Sequence, residues 1–302
     1  MIISNKIKHN ILPLVLFSIM YLGVFCKIFL NKNIPVGEDW AIPVSSVQLK
    51  NWLISNVYAW SDWSNIFGKR LSYSVALPFQ TLGYFLNTTL SIDGYCYWKV
   101  LFFFSFLLGG ISSYFLLLKY GFKKFPAFLG AMVFTLNPVT FNFVLMGWTY
   151  ALISIFSLPL ILLVLEKYFD TEKKSLIVFL ALIYGVLGVM DSQSIIHFML
   201  FIAVYVFIKG DQLNFSPIKQ VFIITIPIAL IVIALHAHWL LGLFLVHDPY
   251  ITSAVAPNDI LRFALRFSFR DIIRGWGSVF NYQFEYSYPP RLIFFSFLRP
   301  LF

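Results

Sequence analysis

The stretch Tyr97–Leu118, YWKVLFFFSFLLGGISSYFLLL, carries a single charged residue, Lys99, in a run of Phe, Leu, Ile, Gly and Ser. A helix rising 1.5 Å per residue needs about 20 apolar residues to cross the roughly 30 Å hydrocarbon core of a bilayer, and this run is long enough. Backbone inside lipid must satisfy its own hydrogen bonds, so a helix is the expected form. The rest of the chain agrees. Of its 302 residues, 60% are hydrophobic and 12% charged, and the mean hydropathy is +0.82. Soluble domains carry about 45–50% apolar and 25% charged residues. The composition therefore predicts an all-α, polytopic transmembrane helical bundle. A transmembrane barrel would show alternating segments of about ten residues, and the sequence has none.

Outward from that run, further apolar stretches fall at Ile11–Leu30, Phe125–Leu145, Thr149–Leu165, Leu176–Met190, Ser194–Ile208 and Val221–Val246, giving about seven spans in all. The first resembles a signal peptide, but its length and the lack of a small-residue cleavage site predict an uncleaved anchor. Three polar connections carry lysines: Lys119–Lys124, Lys167–Lys174 (where Glu166, Asp170 and Glu172 dilute the charge) and Lys209–Lys219. With Lys6 and Lys8 before the first span, the positive-inside rule places all four on the cytoplasmic side of the plasma membrane, N-terminus included. Asn31–Tyr97 then forms a long first outer loop.

Two segments decide that count. Ser72–Leu90 is apolar, but Pro78, Gln80, Gly83, Asn87, Thr88 and Thr89 interrupt it, and an interfacial or re-entrant helix is expected. Leu176–Ile208 is too long for one span and short for two; the polar knot Asp191-Ser192-Gln193-Ser194 favours a hairpin with its tip near the outer surface, and the alternative, one tilted helix and six spans, would move everything after it to the other side. In the outer loop, Val44–Trp60 reads as an amphipathic helix with Trp52, Tyr58 and Trp60 near its apolar side, followed by the basic pair Lys69-Arg70. The net charge of +9 belongs to loop lysines facing anionic lipid rather than to nucleic acid. Cys26 and Cys96 build neither a disulfide framework nor a metal pattern.

The acidic pair in Val36-Gly37-Glu38-Asp39-Trp40 stands just past the first span. Two adjacent carboxylates at a membrane surface suit proton transfer or a divalent ion; the plain alternative is a solvated loop acid or a helix cap. A first span leading to this pair, a Trp-rich outer loop and the stretch Gly130-Ala131-Met132-Val133-Phe134-Thr135-Leu136-Asn137-Pro138 together resemble the GT-C superfamily of membrane glycosyltransferases. More narrowly, the Asn-Pro turn, Gly147-Trp148 and the run ending Ser157-Leu158-Pro159-Leu160 resemble its arabinofuranosyltransferase-like members and related prokaryotic membrane proteins. The resemblance covers roughly residues 1–250, a GT-C-like transmembrane module in which 31–97 is the outer loop.

That resemblance implies transfer of a sugar from a polyprenyl-phosphate donor to an acceptor on the outer face. It gives the catalytic base to Asp39 or Glu38. Either acid suits the chemistry, because an inverting transfer needs a carboxylate to take the acceptor hydroxyl's proton. Asp191, on the same face if the hairpin holds, could join them or bind a divalent cation such as Mg or Mn through oxygen ligands; helix capping is its plainer role. Arg262, Arg266, Arg270 and Arg274 recur every four residues and form one stripe on a helix from about Asn258 to Gly275. Arg forks bind phosphate oxygens, so the stripe, with Arg70, is the candidate for the donor phosphate. Anchoring to anionic membrane lipid is its alternative.

Residues 251–302 are read as this basic amphipathic helix and the start of a truncated C-terminal region, since Pro289–Phe302 looks like the opening of another apolar segment. His236 and His238, two apart on a helix, point away from each other and read as bundle-interior contacts rather than a metal pair. No nucleotide-binding or zinc-protease motif is present. The rival functions are a non-enzymatic transporter or flippase for lipid-linked glycans and a structural subunit of an envelope-assembly complex.

Overall fold

The computed structural model describes residues 2–30, 45–57, 77–145, 149–188, 192–212 and 216–245, and no strand occurs among them. Helix α1 spans Ile2–Val24 and α2 continues it over Cys26–Leu30 after a break at Phe25. Two short helices follow, α3 over Ser46–Val57 and α4 over Leu77–Leu90. The longer rods are α5 (Gly94–Lys119), α8 (Thr149–Thr171), α10 (Ser192–Gln212) and α11 (Pro217–Leu245). Between them lie α6 (Lys124–Thr135), α7 (Pro138–Leu145) and α9 (Ser175–Ile183), the last running into a π-helical turn over Tyr184–Gly188. Among the described residues, Gly94–Lys119, Thr149–Thr171 and Ile218–Ala237 are long and apolar enough to cross a membrane. The described residues are thus all-helical, with the apolar helices that a membrane protein needs.

The local sequence explains several of these boundaries. Asp93 caps α5 by accepting the Cys96 backbone N–H at 2.7 Å, and the helix closes with Gly121 at φ +86°. There Phe122 N–H reaches Leu117 O at 3.1 Å and Gly121 N–H reaches Leu118 O at 3.0 Å, the paired bonds of a Schellman stop that glycine adopts without a Cβ penalty. The segment expected as one span over Phe125–Leu145 is divided, because Pro138 has no N–H to continue α6. Asn137 Oδ1 instead accepts from Thr140 N at 3.0 Å and starts α7. The expected helix Val44–Trp60 begins later, where Ser45 and Gln48 exchange backbone and side-chain bonds at 3.1 and 3.2 Å. This is a capping box. Its expected Tyr58 and Trp60 lie outside the described residues.

Contacts along the rods fix their directions. Phe29 and Phe25 meet Phe102, Tyr21 meets Phe106, and Phe17 meets Tyr114, so α1–α2 run antiparallel to α5. Gly130 sits against Leu117 and Tyr21 bonds Thr135, so α6 returns along α5. Phe106 meets Phe156 and Lys119 pairs with Asp170, so α8 is parallel to α5. Ser154 bonds Leu187 O while Leu163 and Lys167 face Leu176 and Phe179, making α9 with its π turn antiparallel to α8. Tyr184 meets Phe198 and Glu166 pairs with Lys209, so α10 runs back again. His236 of α11 reaches Gly185 O.

The rods therefore alternate, and one end of the bundle collects Lys119, Lys123, Lys124, Lys167, Lys173, Lys174, Lys209 and Lys219. The short helices α3 and α4 pack together at the opposite end. There Gly83 lies against the Tyr97 ring, and the Tyr97 hydroxyl donates to Phe79 O. With 14 residues, α4 is about 21 Å long, short of the hydrocarbon thickness. That agrees with the expectation that Ser72–Leu90 does not cross, although 72–76 lie outside the described residues.

Lipid tails are as apolar as leucine, so helices in a membrane associate through close packing and interhelical hydrogen bonds. Both devices are present. An aromatic cluster of Phe17, Tyr21, Phe25, Phe102, Phe106 and Phe156 joins α1, α2, α5 and α8. A second, aliphatic cluster holds Leu165, Leu180, Tyr184, Ile202, Ile224 and Ile228 across α8 to α11. Helix α8 belongs to both, and 72% of its apolar stretch is buried against 17% of that of α11. It is the central post of the fold.

Candidate functional site

Every acidic and basic residue singled out for chemistry, namely Glu38, Asp39, Arg70, Asp191, Arg262, Arg266, Arg270 and Arg274, lies outside the described residues. The described residues that flank the acids nevertheless belong to one end of the bundle. Phe29, at the end of α2, is held there by Lys99 Nζ donating to its carbonyl at 3.1 Å. The π turn before Val189 and the first turn of α10 belong to this end too, since the Tyr184 ring meets Phe198. This is the lysine-poor end.

Among the described residues five buried side-chain polar atoms have no hydrogen-bond partner; Gln80 Oε1, Trp98 Nε1 and Thr149 Oγ1, from α4, α5 and α8, are at this end, and Ser113 Oγ and Gln220 Oε1 are elsewhere. Gln80, Trp98 and Thr149 are each only 3% exposed. A buried unsatisfied donor or acceptor costs about 1–3 kcal/mol, so three of them at one end of a bundle call for a reason. The Trp98 ring stacks on Phe102 at 5.1 Å, which fixes its orientation. Asn87, in the sequence Asn87-Thr88-Thr89, uses its amide to donate to Ile92 O at 2.9 Å and so ties the end of α4 to the approach of α5.

The lysine-rich end holds a polar cluster that the sequence did not announce. Glu166, read as a loop charge, is 3% exposed on α8. Lys209 of α10 lies 3.1 Å from its Oε1 and 3.4 Å from its Oε2. The Tyr205 hydroxyl donates to Oε1 as well. The Tyr120 hydroxyl stands 2.8 Å from that of Tyr205 and 3.4 Å from the same carboxylate oxygen. One carboxylate thus ties together the ends of α5, α8 and α10. The signal was available in the spacing: Ile161, Leu165 and Phe169 place the buried side of α8 next to Glu166.

Beside this cluster, Lys119 pairs with Asp170, and a cavity of about 340 Å³ opens between α5, α8 and α9. Leu163 and Val164 of α8 and Leu176 and Phe179 of α9 form its walls, with Lys119, Lys167 and Asp170 also lining it.

In the interior, His236 is 2% exposed. Its Nε2 lies 2.7 Å from Gly185 O in the π turn, and the Ser154 hydroxyl donates to Leu187 O at 3.3 Å. A π turn misaligns its own carbonyls, and these two side chains occupy them. The expectation of a bundle-interior contact for His236 holds; the His238 side chain lies outside the description. Among the described residues no three His, Cys, Asp or Glu gather as a metal site. Cys26 and Cys96 are both free and exposed. No family model, curated protein or solved structure matches the chain.

Proposed function

We propose that this chain is the membrane module of a GT-C-type glycosyltransferase, with about seven spans, which moves a sugar from a polyprenyl-phosphate donor to an acceptor at the outer face. The observation that carries the reading is the sorting of the bundle's two ends. Lysines crowd one end, which the positive-inside rule assigns to the cytoplasm. The short helices α3 and α4, the end of α2 that precedes Glu38 and Asp39 in sequence, and the buried Gln80, Trp98 and Thr149 atoms without a partner among the described residues belong to the other.

In this mechanism Asp39 or Glu38 takes the proton from the acceptor hydroxyl as that oxygen bonds to the anomeric carbon. The bond from that carbon to the donor phosphate breaks, and the phosphate leaves with the electron pair. Arg262, Arg266, Arg270 and Arg274, with Arg70, would neutralise the departing charge. A divalent cation held by Glu38, Asp39 and Asp191 would serve the same end. The transport reading asks for charged residues near the bilayer midplane. Glu166 sits instead near the end of its helix and is neutralised by Lys209.

The test uses membranes expressing the full-length protein at equal level, supplied with a labelled polyprenyl-phosphate sugar pool. Transfer by wild type, lost in Glu38→Gln or Asp39→Asn with insertion intact, is the expected result and identifies the base. Equal product from all three would refute the catalytic assignment and leave transport or scaffolding.

A further inference from the structure

From the cavity at the lysine-rich end we infer a binding site for an anionic phospholipid, with the headgroup phosphate on Lys167 and an acyl chain against the walls of α8 and α9. The inference is independent of sugar transfer. It needs only that the bundle sits in a membrane.

Four observations carry it. First, the cavity is amphipathic along the axis of α8. Asp170 and Lys167 mark the end of the helix that meets the headgroups, and Leu163, seven residues before Asp170, lies about 10 Å deeper. That gradient from charge to hydrocarbon is the gradient of a lipid molecule. Second, its charge is unbalanced. Lys119 is committed to Asp170 and Lys209 to Glu166, each pair neutral. Lys167 has no ion-pair partner among the described residues, is exposed, and faces the same cavity.

Third, the outer lip is apolar and open, with Phe179 52% exposed and the neighbouring Val178 50% exposed. A lipid reaching the cavity sideways from the bilayer meets a surface that already suits its tails. Fourth, about 340 Å³ stands at the lower end of small-ligand sites, roughly 300–1,000 Å³. It would hold the glycerol region and the start of one chain, not a whole lipid. A free phosphate gains nothing from Leu163, Val164, Leu176 and Phe179. Basic recesses between membrane helices on the cytoplasmic side take anionic headgroups for this combination of reasons.

The full chain, purified in mild detergent, is titrated with phosphatidylglycerol or with phosphatidylcholine of the same acyl chains, and retained lipid is counted by native mass spectrometry. Wild type should retain the anionic lipid preferentially. Lys167→Gln should weaken that retention about fivefold, the factor equal to about 1 kcal/mol per basic residue at a membrane surface, and leave phosphatidylcholine unchanged. Leu163→Trp, which fills the deep wall, should lower retention of both lipids. Lys124→Gln, an exposed lysine of the same end outside the cavity, should change neither. Lys167 has no ion-pair partner to lose among the described residues, so the unfolding temperature of Lys167→Gln without lipid should equal wild type. Equal retention of the two lipids by wild type would overturn the inference. So would a Lys124→Gln loss as large as that of Lys167→Gln, or displacement of the anionic lipid by inorganic phosphate.

Discussion

Replacing Lys209 with methionine leaves the Glu166 carboxylate buried without its cation, and the structure gives the size of the effect. Two unit charges 3.1 Å apart attract by about 5 kcal/mol at an effective dielectric of 20, and desolvation of both groups offsets most of that. Removing one partner of a buried pair costs about 3–5 kcal/mol because the other is stranded. The Lys209 side chain keeps 24% of its surface exposed, and Glu166 retains the Tyr205 hydroxyl. Lys209→Met is therefore expected near the lower bound, about 3 kcal/mol. Glu166→Gln removes the charge but keeps an oxygen for Tyr205. The double variant should thus recover about 2 kcal/mol relative to the sum of the single changes, within the range of contacting pairs. Equilibrium unfolding in mixed micelles, run as a double-mutant cycle on the four proteins, measures the coupling. Effects that add within about 0.5 kcal/mol would refute the claim that this carboxylate ties α8 to α10.

Two further perturbations probe the packing. A Cβ built on Gly109 falls 2.6 Å from Cγ of the Phe156 ring, which Phe106 and Phe134 hold on other sides. Gly109→Ala should therefore lower stability by about 1–3 kcal/mol in the same unfolding assay, the cost of overpacking. His236→Leu removes the partner of Gly185 O inside the bundle and should cost about 1 kcal/mol, with faster amide exchange across Tyr184–Gly188.

Much of the fold is legible in the residues because the bilayer imposes so simple a rule. Tyr97–Leu118 alone predicts a spanning helix, and Gly94–Lys119 is one continuous helix long and apolar enough to cross. The polar knot at 191–194 predicts a hairpin, and α9 and α10 are separate helices. Hydropathy does not report where a rod breaks: Asn137-Pro138 divides one apolar run, and the π turn at Tyr184–Gly188 has no compositional mark beyond its two glycines. Nor does it distinguish a buried charge from a loop charge. Glu166 differs from its neighbour Lys167 only by about 100° around the helix, enough to move it from solvent to the packed interior. The acids and arginines chosen for chemistry fall in 31–44, 58–76, 189–191 and 246–302, outside the described residues. Their assignment rests on the sequence alone.

The sugar-transfer reading depends on the two ends of the bundle facing opposite sides of the membrane. Single cysteines placed at Lys123 and Thr88, both exposed, in a background with Cys26 and Cys96 replaced by serine, test this with a membrane-impermeant maleimide on intact cells. The account predicts labelling of Thr88→Cys from outside and of Lys123→Cys only after the membrane is opened. Labelling of Lys123→Cys from outside, or of both positions from one side, would contradict it and remove Glu38 and Asp39 from the outer face.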